Sequence, residues 1–258
     1  MAIWRRDPPL PEPDDDRTLL WDGPQPAPPS AERPRRARGV AWRLAKAALF
    51  ALLGYYVLCL VLLVVYRFVP PPTTGVQVER RVEAWIGGEE YAPRKEFVAF
   101  DDLPRHVWRA VVAAEDGDYW NHNGFDWEEM QSAGEDAKGG GRMRGASTIT
   151  QQLMKNLFGC TCRNPVRKLY DLALTPPAEL ILGKERILEL YLNQVEWGPG
   201  VFGIDAAARH HYDVGARKLT RTQAAGLAAL LPNPRQRTPA NTRWYRGEIL
   251  RRMKFRGW

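Results

Sequence analysis

Hydrophobic and polar positions divide the chain into stretches of very different pattern. Residues 1–39 mix Pro, Arg and Asp with few apolar positions and no period. Such a segment cannot bury enough apolar surface to offset its chain entropy, so we expect a disordered cytoplasmic tail. From Ala47 to Tyr66 there is no charge for 20 consecutive positions. A helix of that length, rising about 1.5 Å per residue, spans roughly the 30 Å hydrocarbon core of a bilayer. A cleavable signal peptide has a shorter apolar region close to the N-terminus and a small-x-small site after it, whereas 46 residues precede this run. The pattern therefore predicts an uncleaved transmembrane anchor over 40–67. Arg33, Arg35, Arg36, Arg38, Arg43 and Lys46 crowd its N-terminal side, and Arg67 alone lies just after it. By the positive-inside rule, the tail is cytoplasmic and the remainder lies outside. Pro70-Pro71-Pro72 makes a stiff exit, and a globular domain is expected over 75–258.

Within that domain the apolar positions recur with helical spacing. Asp101-Asp102 before Leu103-Pro104 reads as an acidic cap and a first-turn proline, followed by the stripe Leu103, Val107, Val111 and Ala114. Thr148 with Gln151 reads as a capping box opening a second helix. A third runs from about Lys184 to Asn193 until Gly198-Pro199-Gly200 interrupts, and another covers Ile204–Tyr212. Thr220-x-x-Gln223 caps a last apolar helix that stops before Pro232. Few segments alternate with period two, so the domain should be mainly α with minor strands. Gly139-Gly140-Gly141 should be mobile.

Composition narrows the class only a little. The 258 residues allow one ordinary domain plus appendages, with 45% apolar and 26% charged positions typical of a globular chain. A net charge of +7 suits nucleic acid, membrane headgroups or a phosphorylated substrate, and does not choose among them. Three cysteines and four histidines lack the spacing of a zinc site. A disulfide between Cys160 and Cys162 is disfavoured, because side chains two residues apart seldom align for one.

Three clusters carry candidate chemistry. Val107, Val111 and Glu115 lie at i, i+4 and i+8, so the acid shares the apolar face of its helix. Desolvation there raises a carboxyl pKa toward the range of a general base; the bland alternative is a helix-end acid pointing to water. Asp116 and His122 lie close enough in sequence to orient it. Thr148, Gln151, Gln152 and Lys155 share one face of the next helix, with donors, a cation and no acid. With the helix N-terminus beside them they suit sugar hydroxyls or phosphate, although an ordinary solvated face fits the same pattern. Arg167, Lys168 and Asp171 place two cations beside an acid, as a phosphate leaving group requires or as a surface ion pair would.

These clusters, in this order, resemble glycosyltransferase family 51, which includes the monofunctional biosynthetic peptidoglycan transglycosylases and the first domain of class A penicillin-binding proteins. The matching text is EDGDYWNHNGFDW, GASTITQQLMKN, RKLYD, ERILELYLNQVEWGPGVFGIDAAARHHY and QAAGLAALLPNP, covering nearly all of residues 78–240. The resemblance implies a lysozyme-like, mainly α fold and lipid II as substrate, with undecaprenyl pyrophosphate released on inversion. It implies Glu115 as general base and Asp171 as a second catalytic acid. Asp116, Tyr119 and His122 would shape the pocket. Ser147, Thr148, Gln152, Lys155 and Asn156 would line the donor side, and Lys155, Arg167 and Lys168 would neutralise the pyrophosphate. Its partners would be lipid II, the growing glycan, the cytoplasmic membrane and other cell-wall synthesis proteins, with no nucleic acid. The implied location is the bacterial inner membrane, single-pass, with the catalytic domain periplasmic. No cofactor is required; a divalent cation is compatible with a pyrophosphate leaving group, but no dedicated ligand set for a metal is visible.

Two departures from the family pattern stand out. Asp171 occupies a position where the family has Glu, which sets the carboxylate back by more than about 1 Å, and such a misplacement costs on the order of 10²-fold in rate. Pro176-Pro177 falls where the family is helical and should kink or break the helix. These motivate one alternative, an inactive membrane-anchored scaffold with a degenerate domain. A lytic hydrolase is another, but it has no need of cations for a pyrophosphate. The outer domain has no Ser-x-x-Lys and no Lys-Thr-Gly, so we read no acyl-serine transpeptidase site.

Overall fold

A computed structural model describes residues 35–138, 146–162 and 164–258. Most of the expected tail, and the expected mobile stretch at Gly139-Gly140-Gly141, lie outside the described residues. The chain divides into two compact units, residues 1–50 and 51–258. The described part of the first unit is the beginning of helix α1 (Arg35–Phe68), which starts inside the segment read as tail. Trp42–Phe68 is long and apolar enough to cross a membrane, its most apolar 18-residue window having a mean hydropathy of 2.7. Only 11% of its most apolar window is buried by protein, unlike the core helix of a soluble domain.

The second unit is mainly α, as the periodicity predicts. After the last turns of α1 come α2 (Gly75–Gly87), α3 (Arg105–Glu115), α4 (Trp127–Lys138), α5 (Ile149–Phe158) and α6 (Pro165–Leu182). Then follow α7 (Lys184–Gln194), α8 (Ile204–Tyr212), α9 (Arg221–Ala228) and α10 (Arg243–Phe255). Three short strands, β1 (Arg94–Lys95), β2 (Glu196–Gly198) and β3 (Val201–Phe202), form one sheet ordered β1-β3-β2. β1 runs parallel to β3, pairing Arg94 with Val201, and β2 runs antiparallel to it across the turn at Pro199-Gly200. Buried Asn193 ties the segment after β1 to α7: its side chain accepts from Val98 N at 2.8 Å and donates to Val98 O at 2.9 Å.

Local chemistry explains several boundaries. Thr220 accepts from Gln223 N, and the Gln223 side chain answers to the Thr220 backbone, a full capping box as expected. At Thr148 one arm alone forms, from Gln151 N. The Gln151 side chain instead donates to Gly124 O at 3.3 Å. The acidic cap expected before α3 is not used. Asp101 and Asp102 belong to a separate 3-10 turn, and α3 begins after Pro104 with no side-chain cap. The reason is Leu103, which precedes a proline and is held extended at φ −87°, ψ 129°.

Two further expectations are corrected. Cys160 and Cys162 are joined by a disulfide in the loop between α5 and α6, whose bend brings their Cα atoms to 5.3 Å. Pro176 and Pro177 lie inside α6 without ending it. Pro177 has no N–H for Ala173 O, and that carbonyl accepts the Tyr56 hydroxyl of α1 at 3.1 Å instead. Of the two intrahelical bonds that the prolines remove, the one at Ala173 O is thus replaced from outside the helix.

The core positions the site. Val107, Ala110 and Val111 are fully buried where α3 packs against α9 and α10. Ile149, Leu153 and Met154 are buried where α5 packs against α6 and α7. The C-terminus of α3 and the N-terminus of α5 thereby face one opening.

Candidate active site

The opening is a cleft of about 1340 Å³. Along one side run Glu115, Asp116 and the segment after α3; Ser147, Thr148, Gln152 and Lys155 of the α5 region form another wall. α10 closes it with Tyr245, Glu248, Arg251 and Arg252, and Arg256 just after the helix adds to this wall.

Glu115 is the last residue of α3, partly buried and open to the cleft. Its carboxylate accepts from Gln152 Nε2 at 2.9 Å. Burial pushes its pKa above the ordinary 4.5, while the Gln152 hydrogen bond and the nearby Lys155 and Arg237 charges oppose the rise. Gln152 is itself held: its Oε1 accepts from the hydroxyl of fully buried Tyr191 at 2.8 Å, and its Nε2 also donates to Ser147 O at 3.2 Å. A chain of hydrogen bonds thus runs from α7 through α5 to the acid. The end of α3 leaves carbonyls without helical partners. Two of them are taken by α10, Ala114 O by Tyr245 Oη at 3.0 Å and Ala113 O by Arg252 at 3.3 Å.

Asp116 anchors the other side of the acid. One oxygen accepts from Ile149 N at 2.9 Å, an acid placed at the positive end of α5. The other accepts from His122 Nε2 at 2.8 Å. His122 Nδ1 accepts from Gly124 N at 3.1 Å, which leaves the proton on Nε2. Asp116, His122 and Asp126 offer ligand atoms within 4.8 Å of one another, the arrangement of a cation site. All three also serve the fold, Asp126 by accepting from Glu129 N at 2.8 Å through one of its two oxygens. Gly124 adopts φ +87° beside the Thr175 methyl, and a Cβ there would lie 2.4 Å from it, so this turn requires glycine.

The remaining residues from the sequence reading occupy different positions. Thr148 is buried, and its hydroxyl donates to Gly124 O at 2.8 Å while capping α5. Tyr119 is also buried and lies off the cleft wall. It donates to Lys184 O at 2.7 Å, with the Lys184 ammonium 4.3 Å from its ring centre. Asn156 turns back to Gln152 O at 2.8 Å. Lys155 lines the cleft, its pKa lowered chiefly by burial and next by the Arg167 charge. Lys168 lies behind it, donating to Ser147 Oγ at 3.0 Å and Gln151 Oε1 at 3.3 Å, and burial lowers its pKa too. Asp171 is buried one turn along α6 from Arg167 and pairs with it. Burial raises the Asp171 pKa and Arg167 opposes the rise. Arg167 also donates to Cys162 O at 2.9 Å. Glu115, Asp116, Ser147, Thr148, Gln152 and Lys155 therefore meet at the cleft, whereas Tyr119, His122, Asn156, Arg167, Lys168 and Asp171 form the layer behind it.

Sequence reasoning missed Tyr191 and the whole α10 wall. Tyr191 sits on an apolar helix face, and only its hydroxyl betrays a polar task. The signal for α10 was present in Tyr245, Ile249 and Met253 at i, i+4 and i+8, of which Ile249 and Met253 are fully buried.

A partly buried acid with a raised pKa, beside a cation in one large polar cleft of a mainly α domain, is the arrangement of an enzyme active site that takes a polar, anionic substrate. Residues 81–254 match the Transglycosylase family model. The chain is 45% identical over 192 residues to a biosynthetic peptidoglycan transglycosylase of Pseudomonas putida, covering 74% of this chain and 80% of the relative. A protein of the same name from Ectopseudomonas mendocina is 44% identical over 77% of this chain and 81% of its own length. One from Chromohalobacter salexigens is 46% identical over 73% and 80%. The chain belongs to the transglycosylase family, with that family's lysozyme-like, mainly α fold, and is a glycosyltransferase.

Proposed function

We propose that this peptidoglycan glycosyltransferase polymerises lipid II for cell-wall synthesis, joining disaccharides into glycan strands at the outer face of the cytoplasmic membrane. The observation that carries the reading is Glu115, a carboxylate with raised pKa held at the cleft by Gln152. The acceptor's 4-hydroxyl attacks the anomeric carbon of the growing chain. As the new C–O bond forms, the hydroxyl proton passes to Glu115, the bond to the pyrophosphate breaks, and undecaprenyl pyrophosphate leaves with inversion. Lys155 at the wall, with Arg167 and Lys168 behind it, offsets the charge that develops on the leaving group. Asp116 sets the acid side of the pocket with His122 and Tyr119 behind it, and Ser147, Thr148 and Gln152 the donor side with Asn156 behind them. Asp171 orients Arg167. A divalent cation, where used, would bridge the site through the pyrophosphate it neutralises.

The proposed organisation is a tail over 1–39, a single-pass inner-membrane anchor over 40–67 with the N-terminus cytoplasmic, and a periplasmic glycosyltransferase domain over 75–258. Other cell-wall synthesis proteins would meet the tail and the anchor. Against the alternative of a degenerate scaffold, α6 stays helical through both prolines. Purified full-length protein in detergent, given labelled lipid II, should yield polymer and undecaprenyl pyrophosphate in step. Cleavage of preformed glycan with no polymer from lipid II would favour the hydrolase instead.

A further inference from the structure

The outer half of α1 meets the domain through backbone carbonyls that their own helices leave unpaired. Tyr55 donates to Phe158 O at 2.6 Å at the end of α5, and Arg67 donates to Ile181 O in the last turn of α6. Arg186 of α7 returns a bond to Tyr66 O, at 2.9 Å, in the last turns of α1 itself. These three carbonyls are orphaned because helices end there. The fourth, Ala173 O, is different. It lies mid-helix and is orphaned because Pro177 has no N–H, and Tyr56 Oη occupies it at 3.1 Å. Tyr56 packs edge-on to Tyr170, with ring centres 6.0 Å apart, and Cys59 and Leu63 are fully buried beside it.

We infer that Tyr56 is a positioning residue of the transferase: from the membrane-spanning helix it supplies the hydrogen bond that Pro177 removes, and so keeps continuous the helix that carries Arg167, Lys168 and Asp171. On the apolar side of a membrane helix no water can take the place of a missing partner, and a proline is tolerated where a neighbouring side chain supplies one. α6 places Arg167 against Asp171 and sets Lys168 on Ser147 and Gln151, next to Lys155. A bend opening at Ala173 would swing that N-terminal half of α6 away from α5. The anchor thus acts on the site as well as on location. The rate readout rests on the polymerase reading above; the stability readout does not.

The test is a cycle of four full-length proteins in detergent: wild type, Tyr56→Phe, Pro177→Ala and the double variant. In Pro177→Ala the restored amide reaches Ala173 O, so Tyr56 becomes dispensable. We expect Tyr56→Phe to lower kcat on lipid II about 5- to 10-fold and to lower the melting temperature, with KM little changed. In the Pro177→Ala background the same substitution should change neither quantity. Pro176→Ala is the control, because its amide would face Leu172 O and should not rescue. Equal losses in both backgrounds, or rescue by either proline alike, would overturn the inference. So would an unchanged Tyr56→Phe. If wild type makes no polymer, the function proposal fails instead, and the melting temperatures still decide the role of Tyr56.

Discussion

The carboxylate of Glu115 and the side-chain amide of Gln152, 37 residues apart in sequence, are joined by a 2.9 Å hydrogen bond. The relationship has a direction. Gln152 donates to the ionised acid, which favours the carboxylate and restrains the rise that burial imposes. Tyr191 fixes which way the amide points, because its hydroxyl donates to Gln152 Oε1 at 2.8 Å. Gln152 can then offer only its NH₂ to Glu115.

Loss of this relay should appear in rate and in pH dependence together. We expect Gln152→Leu to lower kcat on the order of 10²-fold, since the base loses its alignment. Tyr191→Phe should cost about 10-fold, because the amide is then free to turn. In both variants the acid limb of the pH–rate profile should move to higher pH, since the bond that lowers the Glu115 pKa is gone in Gln152→Leu and weakened in Tyr191→Phe. A limb that stays in place would mean the relay does not reach the acid.

Glu115 should also weigh on stability, with a definite sign. Its folded-state pKa is raised above 4.5, so the folded protein holds this proton more tightly than the unfolded chain does. As pH rises through the window above 4.5, the group costs stability, and the cost is complete above its folded pKa. Glu115→Gln keeps an acceptor for Gln152 and has no such titration. Its melting temperature at pH 7 should exceed that of wild type, and the difference should vanish below about pH 4.5. A lower melting point at neutral pH would contradict the desolvation account.

Asp171 is buried and paired with Arg167 behind the cleft. Glutamate at this position would carry the carboxylate about 1 Å further from the α6 backbone. We expect Asp171→Glu to raise the rate, by up to about 10²-fold, with Asp171→Asn lowering it. An unchanged rate in Asp171→Glu would remove the idea that the shorter acid impairs this enzyme.

Much of this arrangement was legible because local rules and tertiary packing agree. The 3.6-residue spacing of Val107, Val111 and Glu115 both makes α3 and aims the acid, so element and function are read from one pattern. α8 begins and ends as its pattern predicts. The failures share a physical cause, which is partners distant in sequence. Pro176-Pro177 reads as a break by every local rule, and the compensating hydroxyl lies 117 residues before Ala173. Leu103-Pro104 displaced the acidic cap through a backbone restriction that composition hides. His122 looked like a pocket group by proximity in sequence, and Tyr119 by the family resemblance. Asp116 takes up the first and Lys184 the second, leaving both behind the wall.

The capping box at Thr220 allows a separation of fold from chemistry. Thr220→Ala should cost about 1 kcal/mol and lower the melting temperature by about 2–4 °C, as for similar caps in domains of this size. α9 packs against α3, but Thr220 does not line the cleft, so kcat at a temperature well below melting should be unchanged. A fall in kcat without a fall in melting temperature would place α9 nearer to the chemistry than its contacts do.

The central claim is that Glu115 takes the proton from the acceptor hydroxyl of lipid II. Wild type and Glu115→Gln, both full-length and both shown to be folded by their melting curves, should be compared side by side with labelled lipid II in detergent. The account predicts long glycan from wild type and none from Glu115→Gln. Polymer from both proteins would remove Glu115 as the base, and no polymer from folded wild type would contradict the polymerase reading itself.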